Sequence, residues 1–350
     1  MATYDGLFEA LGLGDWCGGG ATGGPMTMAE LLARAQGGGT PDGAAEPAVP
    51  LLETPFPSLD ALNQACGAIP RSRDMTRGVE QGFLAIKDPL KVVLDPITQP
   101  LSWMLDLSLE AFQAIPWFIM IPLLIAIAWF STKKAGVTLL VAFSFLFMAF
   151  INYYDDAIQT LSIIFVCTII AVLLGVPVGI AMSRSNALQR SVIPVLDMLQ
   201  TLPTFVYLVP LIFLFSVTES KLYGIAIILY AIVPVIRLTD LGIRLVDKDV
   251  IEAADAFGMS SRQKLWGVQI PLALPNIMAG VNQTIMMSLA MVVIASLVSA
   301  PGLGVKVLAG IRNLELGVGL VAGFCIVLLA VLLDRSTKAA LGRIDASDRG

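Results

Sequence analysis

The chain has 350 residues, 56% of them apolar and 14% charged, with a mean hydropathy of +0.80. A soluble domain of this length needs more charge to cover its surface, so the composition points into a lipid bilayer. A net charge of −5 without any basic block gives no sign of a nucleic-acid partner, and the absence of histidine removes His-ligated metal sites, His general bases and Ser-His-Asp triads.

Residues 1–74 are rich in Gly, Pro, Ala and acidic groups, with runs such as Gly18-Gly19-Gly20 and Gly37-Gly38-Gly39. Apolar residues are too thinly spread there to build a core, which predicts a flexible acidic tail. No basic start leads into an apolar stretch ending in small residues, so a cleaved signal is not expected. Residues 75–113 form an amphipathic segment broken by Pro89 and Pro96; its run Leu101–Phe112 fits a helix lying in the membrane interface, and partner contact fits nearly as well. The four cysteines (Cys17, Cys66, Cys167 and Cys325) are scattered and show neither metal spacing nor a disulfide framework. Cys167 and Cys325 lie in apolar runs and read as small buried hydrophobes.

Residues 114–340 are almost continuously hydrophobic. A helix needs roughly 20 apolar residues to cross the hydrocarbon core, and only helices of that length satisfy their own backbone in lipid here. The expected spans are 114–131, 136–152, 157–183, 193–217, 222–245, 276–300 and 317–334, with a short tail at 341–350. The fold class is therefore an all-α membrane protein, a bundle of about seven transmembrane helices with a long N-terminal extension. With the N-terminus outside, thirteen basic residues (Lys133, Lys134, Arg184, Arg190, Arg237, Arg244, Lys248, Arg262, Lys264, Arg335, Lys338, Arg343 and Arg349) fall on the cytoplasmic side. Only Lys221, Lys306 and Arg312 fall on the other. That asymmetry predicts N-out, C-in. Trp117 and Trp129 bracket the first span as interfacial anchors.

Polar residues inside spans mark pathways or helix contacts. One set is Asp197, Gln200, Thr201 and Thr204, in a fourth span that Pro203 and Pro210 are expected to kink; the other is Asn282, Gln283, Thr284 and Ser288 in the sixth. Each residue fits helix-to-helix hydrogen bonding, and as sets they fit the lining of a translocation path. Phe205 and Tyr207 lie where aromatic faces could hold a quaternary ammonium by cation–π attraction, although aromatics are common in any such helix.

One cytoplasmic connection, residues 247–275, differs from the rest. Asp249 is placed to cap a short helix, with Glu252 three residues on to complete a capping box. Gly258 suits the left-handed turn that ends this helix, and Ser260 with Gln263 starts a second one, which Pro271 and Pro275 are expected to stop. Small side chains (Ala253, Ala254, Ala256) permit close approach, and Phe257, Leu265 and Trp266 offer apolar anchors for docking.

Glu252-Ala253-Ala254, three residues, Gly258, nine residues, then Val268-Gln269-Ile270-Pro271 resembles the EAA pattern of ABC importer permeases, with Val for Ile and Ile for Leu in its last part. Residues 275–284, Met291–Ser296, Gly302-Leu303-Gly304 and Leu332-Leu333-Asp334-Arg335 are similar to the glycine betaine/proline betaine permeases of that class, a resemblance covering roughly residues 75–340. The resemblance implies a type I importer fold and a second copy of the chain in the membrane. It also implies a pair of ATPase subunits docked beneath and an external substrate-binding protein. Glu252, Ala253, Ala254, Phe257, Gly258, Val268, Ile270 and Pro271 then belong to the coupling helices that sit in a groove on each ATPase. The implied cargo is glycine betaine, proline betaine, choline or a related quaternary amine, for osmoprotection.

The chain has no Gly-x-x-x-x-Gly-Lys-Ser/Thr loop, so no catalytic residue and no cofactor are expected in it; ATP and Mg²⁺ belong to the partner ATPase. About sixteen residues follow the last span, too few for a fused binding domain. The competing classes are an ion-coupled secondary transporter of small amines and an ABC permease for another small osmolyte. The first usually shows paired broken helices with intramembrane acids in two repeated halves. A membrane-embedded enzyme lacks the His, clustered Cys or paired acids it needs.

Overall fold

The computed structural model describes Cys17 and residues 58–347; the expected flexible tail over 1–16 and 18–57, and residues 348–350, lie outside the described residues. Every element among the described residues is helical. The chain divides into two units, residues 1–90 and 91–350.

In the first unit, α1 (Leu59–Ala65) starts where the Ser58 hydroxyl accepts the Ala61 N–H at 3.2 Å. Asp60 accepts the Ser72 N–H at 3.0 Å and so serves the start of the next helix, while the Arg71 guanidinium donates to Asn63 at 3.0 Å. Cys66, just past α1, is joined to Cys17 by a disulfide packed against Leu62 and Ile69. A pair 49 residues apart carries no local signal, which is why the spacing did not reveal it. Within the stretch expected to be a tail, residues 59–65 and 72–74 are thus helical.

Helix α2 (Ser72–Ala114) is longer than the amphipathic segment expected and runs unbroken past Pro89 and Pro96. It ends before Ile115-Pro116, where a proline pushes the preceding residue out of the helical region, and α3 (Trp117–Thr132) leaves at 108°. α3 closes on Lys133 in the left-handed conformation, and α4 (Ala135–Phe150) follows. Then come α5 (Tyr154–Arg184), α6 (Asn186–Thr201), α7 (Thr204–Leu214) and α8 (Ser220–Arg244). The expected kinked fourth span is in fact α6 and α7 meeting at 96°, because Pro203 forces Leu202 into an extended conformation.

By length and composition four helices can cross a membrane: Tyr154–Arg184, Ser220–Arg244, Ser261–Val298 and Leu316–Ala339. Counting each bent pair as one span gives up to six, and Ala135–Phe150 is a shorter apolar helix. These segments fall on the seven stretches expected to span.

The long helix of the sixth span is α11 (Ile270–Ala295), followed by α12 (Leu303–Arg312) and α13 (Leu316–Ser347), which carries helix beyond the expected end at 334. α8 is the hub, buried over most of its length between α5 and α11. Helices pack in lipid by close approach rather than by water exclusion, and small residues permit it. A Cβ on Gly179 of α5 would lie 2.6 Å from the Thr239 Cβ and 2.7 Å from the Ile236 carbonyl oxygen of α8. On the other side, a Cβ on Gly280 of α11 would lie 3.0 Å from the Val235 Cα. The Gly302-Leu303-Gly304 motif turns the chain at a φ of 112°, and the Leu303 N–H donates to the Thr160 hydroxyl of α5 at 2.9 Å.

Candidate functional site

The distinctive loop is an elbow of α9 (Lys248–Ala256) and α10 (Ser261–Lys264). The cap of α9 is Asp247 rather than Asp249: its carboxylate accepts the Asp249 N–H at 3.0 Å. Asp249 therefore lies in the first turn, where its charge suits the helix dipole, and Glu252 is exposed outside any capping box. At the other end the Met259 N–H reaches the Ala254 carbonyl at 3.1 Å and the Gly258 N–H reaches Asp255 at 2.9 Å. Together with Gly258 at a φ of 76°, these bonds make a Schellman turn.

Two residues later Ser260 and Gln263 form the expected capping box: the serine hydroxyl accepts the Gln263 N–H at 3.4 Å and the glutamine carbonyl accepts the Ser260 N–H at 2.9 Å. The Lys264 ammonium grips both oxygens of Asp255, at 2.6 and 2.7 Å, and ties the two short helices together. The elbow is stiff because its helix ends, turn and cross-link are all satisfied locally.

Pro271 and Pro275 do not stop the second helix. Leu265–Gln269 form a π turn in which the Ile270 N–H bonds Leu265, five residues back, and α11 continues from there with Pro271 in its first turn. The wider turn gives the proline ring room at a position that cannot donate a backbone bond. Leu265 is not a docking anchor: it is buried with Ile243, Val246, Ala273 and Ile277 in a small core that roots the elbow. Ala254 is likewise buried, Val268 and Ile270 are half-buried, and Glu252, Ala253 and Pro271 are exposed. Phe257 is 87% exposed at the end of α9, and Trp266 is 61% exposed in the π turn.

The two polar sets divide by the face they occupy. On α6 and α7, Gln200, Thr201 and Phe205 are exposed, Thr204 is half-buried, and the half-buried Tyr207 donates its hydroxyl to the Met291 sulfur of α11 at 3.6 Å. Of the four polar residues expected on the sixth span, all on α11, Gln283 alone is exposed. Asn282 donates to Asp334 of α13 at 2.9 Å, Ser288 accepts from Thr168 of α5 at 3.5 Å, and Thr284 is buried. Asn282 and Ser288 thus bond between helices, leaving Gln283 as the residue of this set that faces away from the bundle.

Sequence reasoning missed a third group. Arg244, at the end of α8, donates to Asp240 at 2.8 Å, to Asn186 of α6 at 2.7 Å and to the Met182 carbonyl of α5 at 2.7 Å. Gln189 of α6 donates to the other Asp240 oxygen at 2.6 Å, and Arg237 pairs with Asp197 of α6. Three charged residues spaced i, i+3, i+7 in an apolar helix were the available signal, since they share one face.

A family model described as binding-protein-dependent transport system inner membrane component matches residues 171–345, a stretch that includes the elbow and the Asp240 group. The chain is 43% identical over 225 residues to the glycine betaine transport system permease protein OpuAB of Bacillus subtilis, covering 64% of this chain and 79% of that one. To the glycine betaine/carnitine transport permease protein GbuB of Listeria monocytogenes it is 39% identical, covering 71% and 86%. To the glycine betaine/proline betaine transport system permease protein ProW of Escherichia coli it is 38% identical, covering 86% of this chain and 84% of that one.

Proposed function

We infer that this chain, which belongs to the family of binding-protein-dependent transport system inner membrane components, is the permease subunit of an ABC importer for glycine betaine or a related quaternary ammonium compound. The observation that carries the reading is the elbow: a stiffened helix pair with an almost bare phenylalanine at its tip. An exposed aromatic on a rigid support is what an interface hot spot requires, and a disordered loop would absorb any stroke delivered to it. In this reading Glu252, Ala253, Ala254, Phe257, Gly258, Val268, Ile270 and Pro271 shape or line the contact with a separate ATPase, which holds ATP and Mg²⁺ and does the hydrolysis. An external binding protein supplies the cargo.

Two copies of the chain face each other across the path. Exposed Gln200, Thr201, Phe205 and Gln283 belong to that face; Asn282 and Ser288 bond between helices, and Thr284 is buried among them. The names of the relatives support a quaternary amine as cargo. An ion-coupled carrier is disfavoured because Asp197, Asp240 and Asp334 are each paired with a cation, leaving no free intramembrane acid among them. The basic-residue asymmetry and the Cys17–Cys66 disulfide, which suits an oxidising compartment, support N-out, C-in in the inner membrane.

The test is Phe257→Ala. A residue so exposed contributes little to folding, so the stability of the purified permease should stay within about 0.5 kcal/mol of the parent's. Co-purification with the ATPase should fall at least tenfold, and ATP-driven uptake of labelled glycine betaine with it. ATPase association and uptake that survived both Phe257→Ala and Trp266→Ala would defeat the docking role, and competition between labelled betaine and choline would rank the cargo.

A further inference from the structure

We propose that Asp240 and Arg244 are positioning residues that pin α6 to the elbow's incoming arm, so that a displacement of the elbow carries Gln200 and Thr201 with it as one rigid body. The proposal rests on the importer reading for what drives the elbow, but its geometry stands independently. Only Leu245 and Val246 separate Arg244 from Asp247, the cap of the elbow's first helix. The Arg244 guanidinium holds three elements at once, each bond at 2.7–2.8 Å: its own helix at Asp240, the start of α6 at Asn186, and the last turn of α5 at Met182. Asp240, 6% exposed, has its second oxygen filled by Gln189 of α6.

The far end of α6 is held as well. Asp197, one turn before Thr201, is paired with Arg237. Between the two attachments Leu196 is buried with Met182, Val233 and Ile236. A helix fixed at one point can pivot; one held at both ends with apolar packing between them follows its support. A fork with several donors suits this better than an ammonium would, because its planar geometry fixes direction as well as distance. Asp240 is the buried member of this group, so removing Arg244 leaves its charge without its cation.

The experiment uses the full permease–ATPase complex in vesicles, with Cys17→Ser and Cys66→Ser and spin labels on Thr201→Cys and Arg262→Cys. If α6 is pinned, the distance between the labels is the same with and without ATP, and Arg244→Gln or Asp240→Asn makes it broad and nucleotide-dependent. In the unlabelled variants, uptake of glycine betaine per ATP hydrolysed should fall at least tenfold while hydrolysis stays within twofold of the parent. A parent distance that shifts by several ångströms on ATP binding overturns the proposal, as do variants with the parent's uptake-to-hydrolysis ratio. Should Arg244→Gln fail to assemble, the parent distance decides the question alone. That distance is read whether or not a quaternary amine is carried, so a wrong cargo assignment leaves this test standing.

Discussion

Gly258 and Gly179 show two different reasons for the same residue. At Gly258 the backbone has a φ of 76° and a Cβ would meet nothing within 4 Å, so any penalty for a side chain lies in the backbone alone. Gly258→Ala should therefore destabilise the elbow by about 1–2 kcal/mol, and Gly258→Asn by less because asparagine tolerates the left-handed region. Hydrogen exchange of the α9 and α10 amides measures this directly: faster exchange in the alanine variant than in the asparagine one is expected, and equal rates would refute the assignment. At Gly179 the backbone is ordinary helix and space is the constraint. Gly179→Ala pushes a methyl against the Ile236 carbonyl, which cannot swing away as a flexible side chain could. It should lower stability by about 1–3 kcal/mol, seen as a reduced thermal midpoint in detergent. Gly258 and Ser260 were legible in the sequence because turn and cap rules act over three or four residues. Asp247 and Asp249 were not separable that way, since either carboxylate can reach a backbone N–H two residues on.

At the scale of elements, the hydrophobic runs located the spans, but chain direction was not legible where two helices meet. The turns at Pro116 and Pro203 swing the chain by 108° and 96°, and nothing local distinguishes them from Pro271, which a π turn absorbs into a continuous helix. Contacts between elements were hidden for the same reason. Lys221 reads as an outer-loop lysine, yet it is 2% exposed, 2.7 Å from both Asp95 of α2 and Glu219, and it lies over the Phe215 ring. Its own N–H is taken by the Ser102 hydroxyl of α2 at 3.1 Å, so α2 is clasped to the start of α8. Changing Asp95→Asn together with Glu219→Gln leaves a buried ammonium without a carboxylate, which should cost about 3–5 kcal/mol in a thermal melt; Lys221→Met added to that pair should recover much of the loss. The Lys221 ammonium donating to Glu219 holds that carboxyl below the usual glutamate range. Its contribution is thus full above the ordinary value and is lost as pH falls through the lowered one, so acidification below about pH 4 should weaken the clasp more in the parent than in Glu219→Gln.

For the molecule as a whole, the orientation in the membrane decides which side each of these parts meets. The cationic bias supports the proposed orientation, with the elbow and the Asp240 group on the cytoplasmic side and the N-terminal extension on the other. The disulfide argues the same way from different chemistry: a thiol pair persists oxidised in an oxidising compartment and is kept reduced by the cytosolic glutathione and thioredoxin systems. Closing a loop of this length stabilises the region around α1 by roughly 4 kcal/mol in the chain-entropy account. Cys167 and Cys325 are free thiols buried among the spans, which makes them internal controls. A membrane-impermeant maleimide applied to intact cells should therefore leave the parent unlabelled. The same reagent after an impermeant reductant should add two labels, both absent in Cys17→Ser/Cys66→Ser. Labelling without reductant, and only in inside-out vesicles, would mean that both cysteines face the cytosol as thiols. That result would reverse every side proposed above, because the five spans that precede the elbow would then carry it outward, away from any cytoplasmic ATPase.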